Sequence, residues 1–202
     1  NIMQQFMMIT KASRVLKEPI SVKGKLRKTK TVNVSIPAIH PEHYQMILDF
    51  FTDERMKLTI QILMGSGLRY EEIKQISKDS FFPDNNSVLI KSEKVEDVAG
   101  FRYCYLSKQA AEAVKTWIEQ GYKPLTRDGF YKNLKLLEAG TGIKISSKSF
   151  RKSHENWRLT AGHDFYKVGV DMGHTSRVLI RNYFADIPWS SEQIELIKEI
   201  IK

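Results

Sequence analysis

Five stretches of the chain carry side chains that handle anions and protons. Arg69 stands in Ser66-Gly67-Leu68-Arg69-Tyr70-Glu71-Glu72-Ile73, after an apolar helical run and at the opening of another, where backbone N–H groups also attract negative charge. Lys94 follows Val88-Leu89-Ile90-Lys91-Ser92-Glu93, a strand-like run entering a polar loop, and a lysine at such a tip can reach a groove. Lys91 is its rival in the same hairpin. Lys148 and Arg151, in Lys148-Ser149-Phe150-Arg151, are three apart and share one helix face. Gly173-His174 offers an imidazole, and Tyr183 offers a phenol nine residues later.

The charge balance points the same way. The chain has 202 residues, with 32 Lys and Arg against 23 Asp and Glu, a net charge of +9. Residues 1–35 hold Lys11, Arg14, Lys17, Lys23, Lys25, Arg27, Lys28 and Lys30 against Glu18 alone, so eight minus one places +7 there and leaves about +2 for the rest. A basic arm beside a nearly neutral body is the footprint of a polyanionic partner, because each cation that meets a phosphate releases condensed counterion. One cysteine excludes a disulfide scaffold and an all-cysteine metal site, and fits a reducing compartment. No apolar run reaches the roughly 18 residues of a membrane span. A soluble, cytoplasmic protein is expected.

Read together, the five stretches resemble the catalytic domain of the tyrosine recombinases: phage integrases, chromosome-dimer resolvases and related enzymes. That family carries an Arg in a Thr-Gly-Leu-Arg-x-x-Glu block, a Lys in a β-hairpin, a His-x-x-Arg, a Gly-His and a nucleophilic Tyr, in that order. Here the first block reads Ser-Gly-Leu-Arg-Tyr-Glu-Glu, with Arg69 and Glu72 at the matching positions. Arg151 to His174 is 23 residues with Gly162 between them, and His174 to Tyr183 is nine, spacings similar to the family's. The resemblance covers about residues 36–186. Lys148 departs from the pattern by standing where the family has histidine, as in integrases of archaeal spindle-shaped viruses and plasmids. The resemblance thus implies a mobile element acting in its host's cytoplasm, near the nucleoid.

The resemblance also implies a chemistry and its actors. Breaking a phosphodiester requires stabilising charge on the non-bridging oxygens, protonating the leaving 5′ oxygen and activating a nucleophile. Arg69 and Arg151 take the first task, since a guanidinium forks onto phosphate and keeps its charge. Lys94 is the general acid, while His174 and Lys148 bond the phosphate or help to accept the tyrosine proton. A lysine needs burial, here beside the two arginines, before it can act as a base. Tyr183 attacks and forms a 3′-phosphotyrosine link. No cofactor, metal or nucleotide is called for. Double-stranded DNA is the expected partner, with self-association into a tetramer on paired sites. A type IB topoisomerase uses similar residues, and a decayed DNA-binding regulator is the remaining alternative.

Other groupings carry less. His40 and His43 are three apart without a third ligand nearby, and His154 and His163 match no family position. No glycine-rich phosphate loop is present.

The elements that must position these residues are mainly helical with a small antiparallel β-sheet, an α+β arrangement. Residues 1–35 read as a basic segment and linker, with a short helix possible over 1–16, and 36–202 as the catalytic domain. Apolar spacing from Pro41 to Met64 predicts two helices or one broken near Thr52 and Asp53. A short helix is expected over Glu71–Ser77, and strands over Ser87–Ile90 and Phe101–Leu106. Ser107 should cap a helix that Gly121 ends, and further helices fall near 127–139, 147–160, 163–170, 175–184 and 190–201. The last, opened by Ser190 and Gln193 in capping-box spacing, suits docking on a neighbouring protomer or on its own domain equally.

Overall fold

The computed structural model describes residues 38–91, 100–174 and 189–202, all within one compact unit spanning 35–202. The expected N-terminal segment, the hairpin tip with Lys94 and the 175–184 helix with Tyr183 lie outside the described residues.

Two helices, not one, occupy the first apolar stretch. Pro41 opens α1 (Pro41–Phe50), where its fixed φ suits the first turn and its missing N–H is no loss. Phe51 is extended, and Asp53 then caps α2 (Glu54–Ser66) by accepting from the Arg55 N–H at 3.0 Å. Met56, Leu58, Ile60, Ile62, Leu63 and Met64 are all buried, so α2 is apolar almost all round and forms the spine of the core. Its glycine at position 65 lets α3 (Lys108–Glu119) approach closely: a Cβ there would stand 2.4 Å from Ala110 Cβ and Ser107 Oγ. Ser107 caps α3 as expected, accepting from the Ala110 N–H at 3.3 Å.

The expected short helix is a 3-10 helix, Tyr70–Gln75. Beyond it lies a three-stranded antiparallel sheet of β1 (Phe81–Phe82), β2 (Ser87–Lys91) and β3 (Phe101–Tyr105), in that order. β1 was not legible, because two residues carry no measurable alternation. The register pairs Val88 with Cys104 and Lys91 with Phe101, and turns Arg102 and Cys104 inward while Phe101 and Tyr103 face out. Gln75 seals the end of β2, donating to the Lys91 carbonyl at 3.2 Å and accepting the Lys91 N–H at 2.8 Å.

A one-turn 3-10 helix (Pro83–Asn85) and four more α-helices complete the described fold: α4 (Arg127–Thr141), α5 (Ser147–Thr160), α6 (Phe165–Met172) and α7 (Ser191–Ile201). Tyr70 stacks on Phe130 of α4, ring centroids 4.1 Å apart, and donates to the Leu125 carbonyl. On α5, Ser149, Ser153, His154, Glu155 and Arg158 are buried beside Phe150 and Trp157. So much buried polarity on one helix is the informative exception to an apolar core.

In this structure α7 packs on its own domain. Ile197 and Ile201 are buried, α7 packs on α5 and α1, and Trp189 Nε1 donates to Asn156 at 2.8 Å. Tyr105 of β3 donates to the Ile201 carbonyl at 3.2 Å.

Candidate active site

The site forms where the end of α2, the inner face of β3, the first half of α5 and the end of α6 converge. Gly67 closes α2 in the left-handed region at φ 65°, its N–H bonded to the Leu63 carbonyl. A side chain there would be strained by that φ and would also meet Met172 Sδ at 2.5 Å and His154 Cδ2 at 2.6 Å. The turn delivers Arg69 two residues later, at the start of the 3-10 helix.

Glu72 holds Arg69 from behind. Its carboxylate accepts the Arg69 N–H at 2.8 Å and Nη1 at 2.9 Å, and takes two further bonds from Arg102, at 3.0 and 2.7 Å. Burial alone would raise the Glu72 carboxyl, but the Arg102 and Arg69 contacts override it and hold it below the usual carboxylate range. Glu72 is a fixed anion that leaves the Arg69 side chain about one third exposed, at 34%.

Arg151 is seated more deeply. Nη1 donates to the Gly67 carbonyl at 2.7 Å and Nη2 to the Met172 carbonyl, so one guanidinium ties the ends of α2 and α6 together. Burial first, and then the like charge of Arg69, pull it down to about 10, which leaves it protonated at neutral pH. Nη2 also lies 3.0 Å from His174 Nε2. The other imidazole nitrogen, Nδ1, is 3.4 Å from Glu155 Oε1, at ion-pair distance but not angled for a direct hydrogen bond.

A second tier supports these groups. His154 is fully buried, and its Nδ1 lies 2.8 Å from the Met64 carbonyl. Desolvation, and then Arg158, push its pKa down to about 3, so it is a neutral structural residue beneath Gly67. Asp171 receives Arg158 on its side chain at 2.7 Å and Arg102 Nε on its carbonyl at 3.1 Å, which fixes α6 just before the Gly173-His174 turn. Cys104 is buried there too, and desolvation raises its thiol to about 12.

The described structure thus brings Arg69, Arg151 and His174 to one place. It does not bury Lys148: this residue lies one turn before Arg151 but is exposed, so the condition for a proton-accepting lysine is not met. Lys91 is exposed at the end of β2, and Lys94 and Tyr183 lie outside the described residues. Sequence reasoning missed Arg102 and Glu155. Arg102 had a weak signal, a cation alternating in register with buried Cys104; Glu155 had its place four residues after Arg151 on the same helix face.

Comparison with known proteins adds to this geometry. Residues 37–188 match the phage integrase family. No curated protein sequence matches significantly. Among solved structures, the XerA recombinase aligns over 91% of this chain and 68% of its own, with 13% identity and a TM-score of 0.61. The Tn1549 transposon integrase in complex with transposon right end DNA aligns over 79% and 65%, with 16% identity and a TM-score of 0.61. The integrase from mycobacterium phage Brujita aligns over 96% and 73%, with 16% identity and a TM-score of 0.58. The chain therefore spans about two thirds of the length of the XerA and Tn1549 structures. At these identities the likeness shows a shared fold.

Proposed function

The chain belongs to the phage integrase family of tyrosine recombinases, and from that premise we propose that it is the catalytic domain of a site-specific DNA recombinase, cutting and rejoining strands through a 3′-phosphotyrosine link. The observation that carries this reading is the convergence of two guanidinium groups and one imidazole, Arg69, Arg151 and His174, in one place. Arg69 and Arg151 bind the non-bridging oxygens of the scissile phosphate and stabilise the charge that builds there. They come pre-oriented, by Glu72 behind one and by the Gly67 and Met172 carbonyls behind the other.

In the proposed step the Tyr183 oxygen attacks phosphorus and the bond from phosphorus to the 5′ oxygen breaks. The phenolic proton leaves toward His174, and the departing oxygen takes a proton from Lys94, giving a tyrosyl phosphodiester and a free 5′-hydroxyl. Attack by another 5′-hydroxyl reverses the sequence and transfers the strand. The link conserves the bond energy, so the reaction needs no nucleotide, and the guanidinium cations do the work that a divalent ion does in other nucleases. Lys148, exposed, serves as a hydrogen-bond donor to the phosphate.

The partner is double-stranded DNA, in keeping with the Tn1549 integrase, which is bound to transposon right end DNA, and pairing of sites calls for a tetramer. Lysine at position 148 supports integration or excision of an archaeal mobile element over chromosome-dimer resolution. Covalent trapping tests the reading. The protein is mixed with nicked duplexes and chelator, denatured, and examined for a DNA-shifted band. The adduct should survive chelator and disappear in Tyr183→Phe; an adduct equal in both proteins overturns the assignment of Tyr183.

A further inference from the structure

We infer that Glu155 is a positioning residue for His174, an inference that rests on the recombinase reading for its kinetic consequence but not for its geometry. One face of α5 meets the imidazole at both nitrogens, by a hydrogen bond from Arg151 and by the charge of Glu155. Arg151 and Glu155 are four residues apart, one helical turn, and stand on the same side. Arg151 Nη2 lies 3.0 Å from Nε2, and a guanidinium only donates, so Nε2 contributes its lone pair. The ring proton of neutral His174 then sits on Nδ1, which faces the Glu155 carboxylate at 3.4 Å. Both side chains are withdrawn from solvent, at 13% exposure for His174 and 4% for Glu155, so the carboxylate acts at short range with little screening.

The arrangement gives His174 a defined task. When a phosphate engages Arg151, Nε2 is released as the imidazole atom able to take a proton. The Glu155 charge favours the proton on Nδ1, the near nitrogen, and stabilises the charge that arrives. Its surroundings explain why a separate carboxylate is needed. Arg151 comes from α5, Arg102 from β3 and Arg69 from the turn after α2, while Glu72 is engaged by Arg69 and Arg102 and Asp171 by Arg158. Glu155 is the carboxylate that faces the imidazole, opposite the Arg151 guanidinium.

The test has two arms. In the first, imidazole nitrogen spectra of the free full chain, with the His174 signals identified by their loss in His174→Gln, read the tautomer without DNA. The expected result is a Nδ1–H ring in the wild type, with the Nδ1–H share reduced in Glu155→Gln and in Glu155→Met, both of which remove the carboxylate charge. A Nε2–H ring in the wild type, or identical spectra in wild type and Glu155→Met, overturns the inference whatever the protein does to DNA. The second arm measures single-turnover formation of the covalent adduct. Glu155→Gln should slow it by about tenfold, a fraction of the roughly 10²–10⁴ that general acid–base catalysis supplies, with DNA affinity unchanged. In a His174→Gln background the same change should add nothing further, the mark of a residue that acts through another. Full additivity overturns the inference. If the wild type forms no adduct, the recombinase reading fails while the first arm still decides the role of Glu155.

Discussion

At the scale of single residues, burial decides the protonation of the histidine that underlies the site. His154 offers a direct measurement of this. Its folded pKa of about 3 lies below that of a free histidine, so between the two values the unfolded chain binds a proton that the folded chain refuses. The stability that His154 contributes is therefore complete above about pH 6.5 and is lost as pH falls toward 3. From pH 7 to pH 5 this amounts to about 2 kcal/mol, taking 1.36 kcal/mol per pH unit below 6.5. Urea unfolding of His154→Phe at both values should show a pH loss smaller than the wild type's by that amount; parallel losses would mean that the histidine is not buried neutral. Arg69 and Glu72 could be placed in one motif from the sequence because they lie within one turn of each other. The Arg102 bonds to Glu72 and the approach of Glu155 to His174 were not legible there, since they join residues 30 and 19 positions apart whose meeting depends on how strand and helices pack.

At the scale of elements, the turn from α2 into the 3-10 helix carries the greatest share of the geometry. Gly67 supplies a left-handed residue, space for Met172 and His154, and the carbonyl that receives Arg151. Gly67→Ala should destabilise the domain by about 2 kcal/mol or more, since an L residue in that region costs roughly 1–2 kcal/mol before any clash is counted. Urea midpoints test this, and a change below about 0.5 kcal/mol, within the range of ordinary surface substitutions, would mean that the turn relaxes freely. Most helices could be read from caps and apolar spacing, because Ser107, Ser190 and Gly121 punctuate them by local chemistry alone. The two-residue β1 and the 3-10 character of Tyr70–Gln75 could not be read. Both are imposed by neighbours: the pairing of Phe81 with Val88 in one case, and the stacking of Tyr70 on Phe130 in the other.

At the scale of the whole molecule, the uneven charge of the chain predicts how it meets DNA. With +7 in residues 1–35 and about +2 elsewhere, most of the salt-sensitive affinity should reside in the first segment. Deleting residues 1–35 should flatten the plot of log affinity against log salt by about 0.9 for each phosphate contact removed, with the fold of 36–202 retained by circular dichroism. An unchanged slope would place the electrostatic contacts on the body instead. The Gln75 amide that closes the end of β2 has a larger consequence. Arg69 is locked to Glu72, Gln75 to Ser80, and Gln75 again to Lys91, so the chain from Arg69 to Lys91 measures out its own internal spacing. Once Phe130 and Arg102 have seated it, that stretch sets the distance from the site's first arginine to the root of the hairpin, so a chain break between Gln75 and Lys91 would uncouple the two.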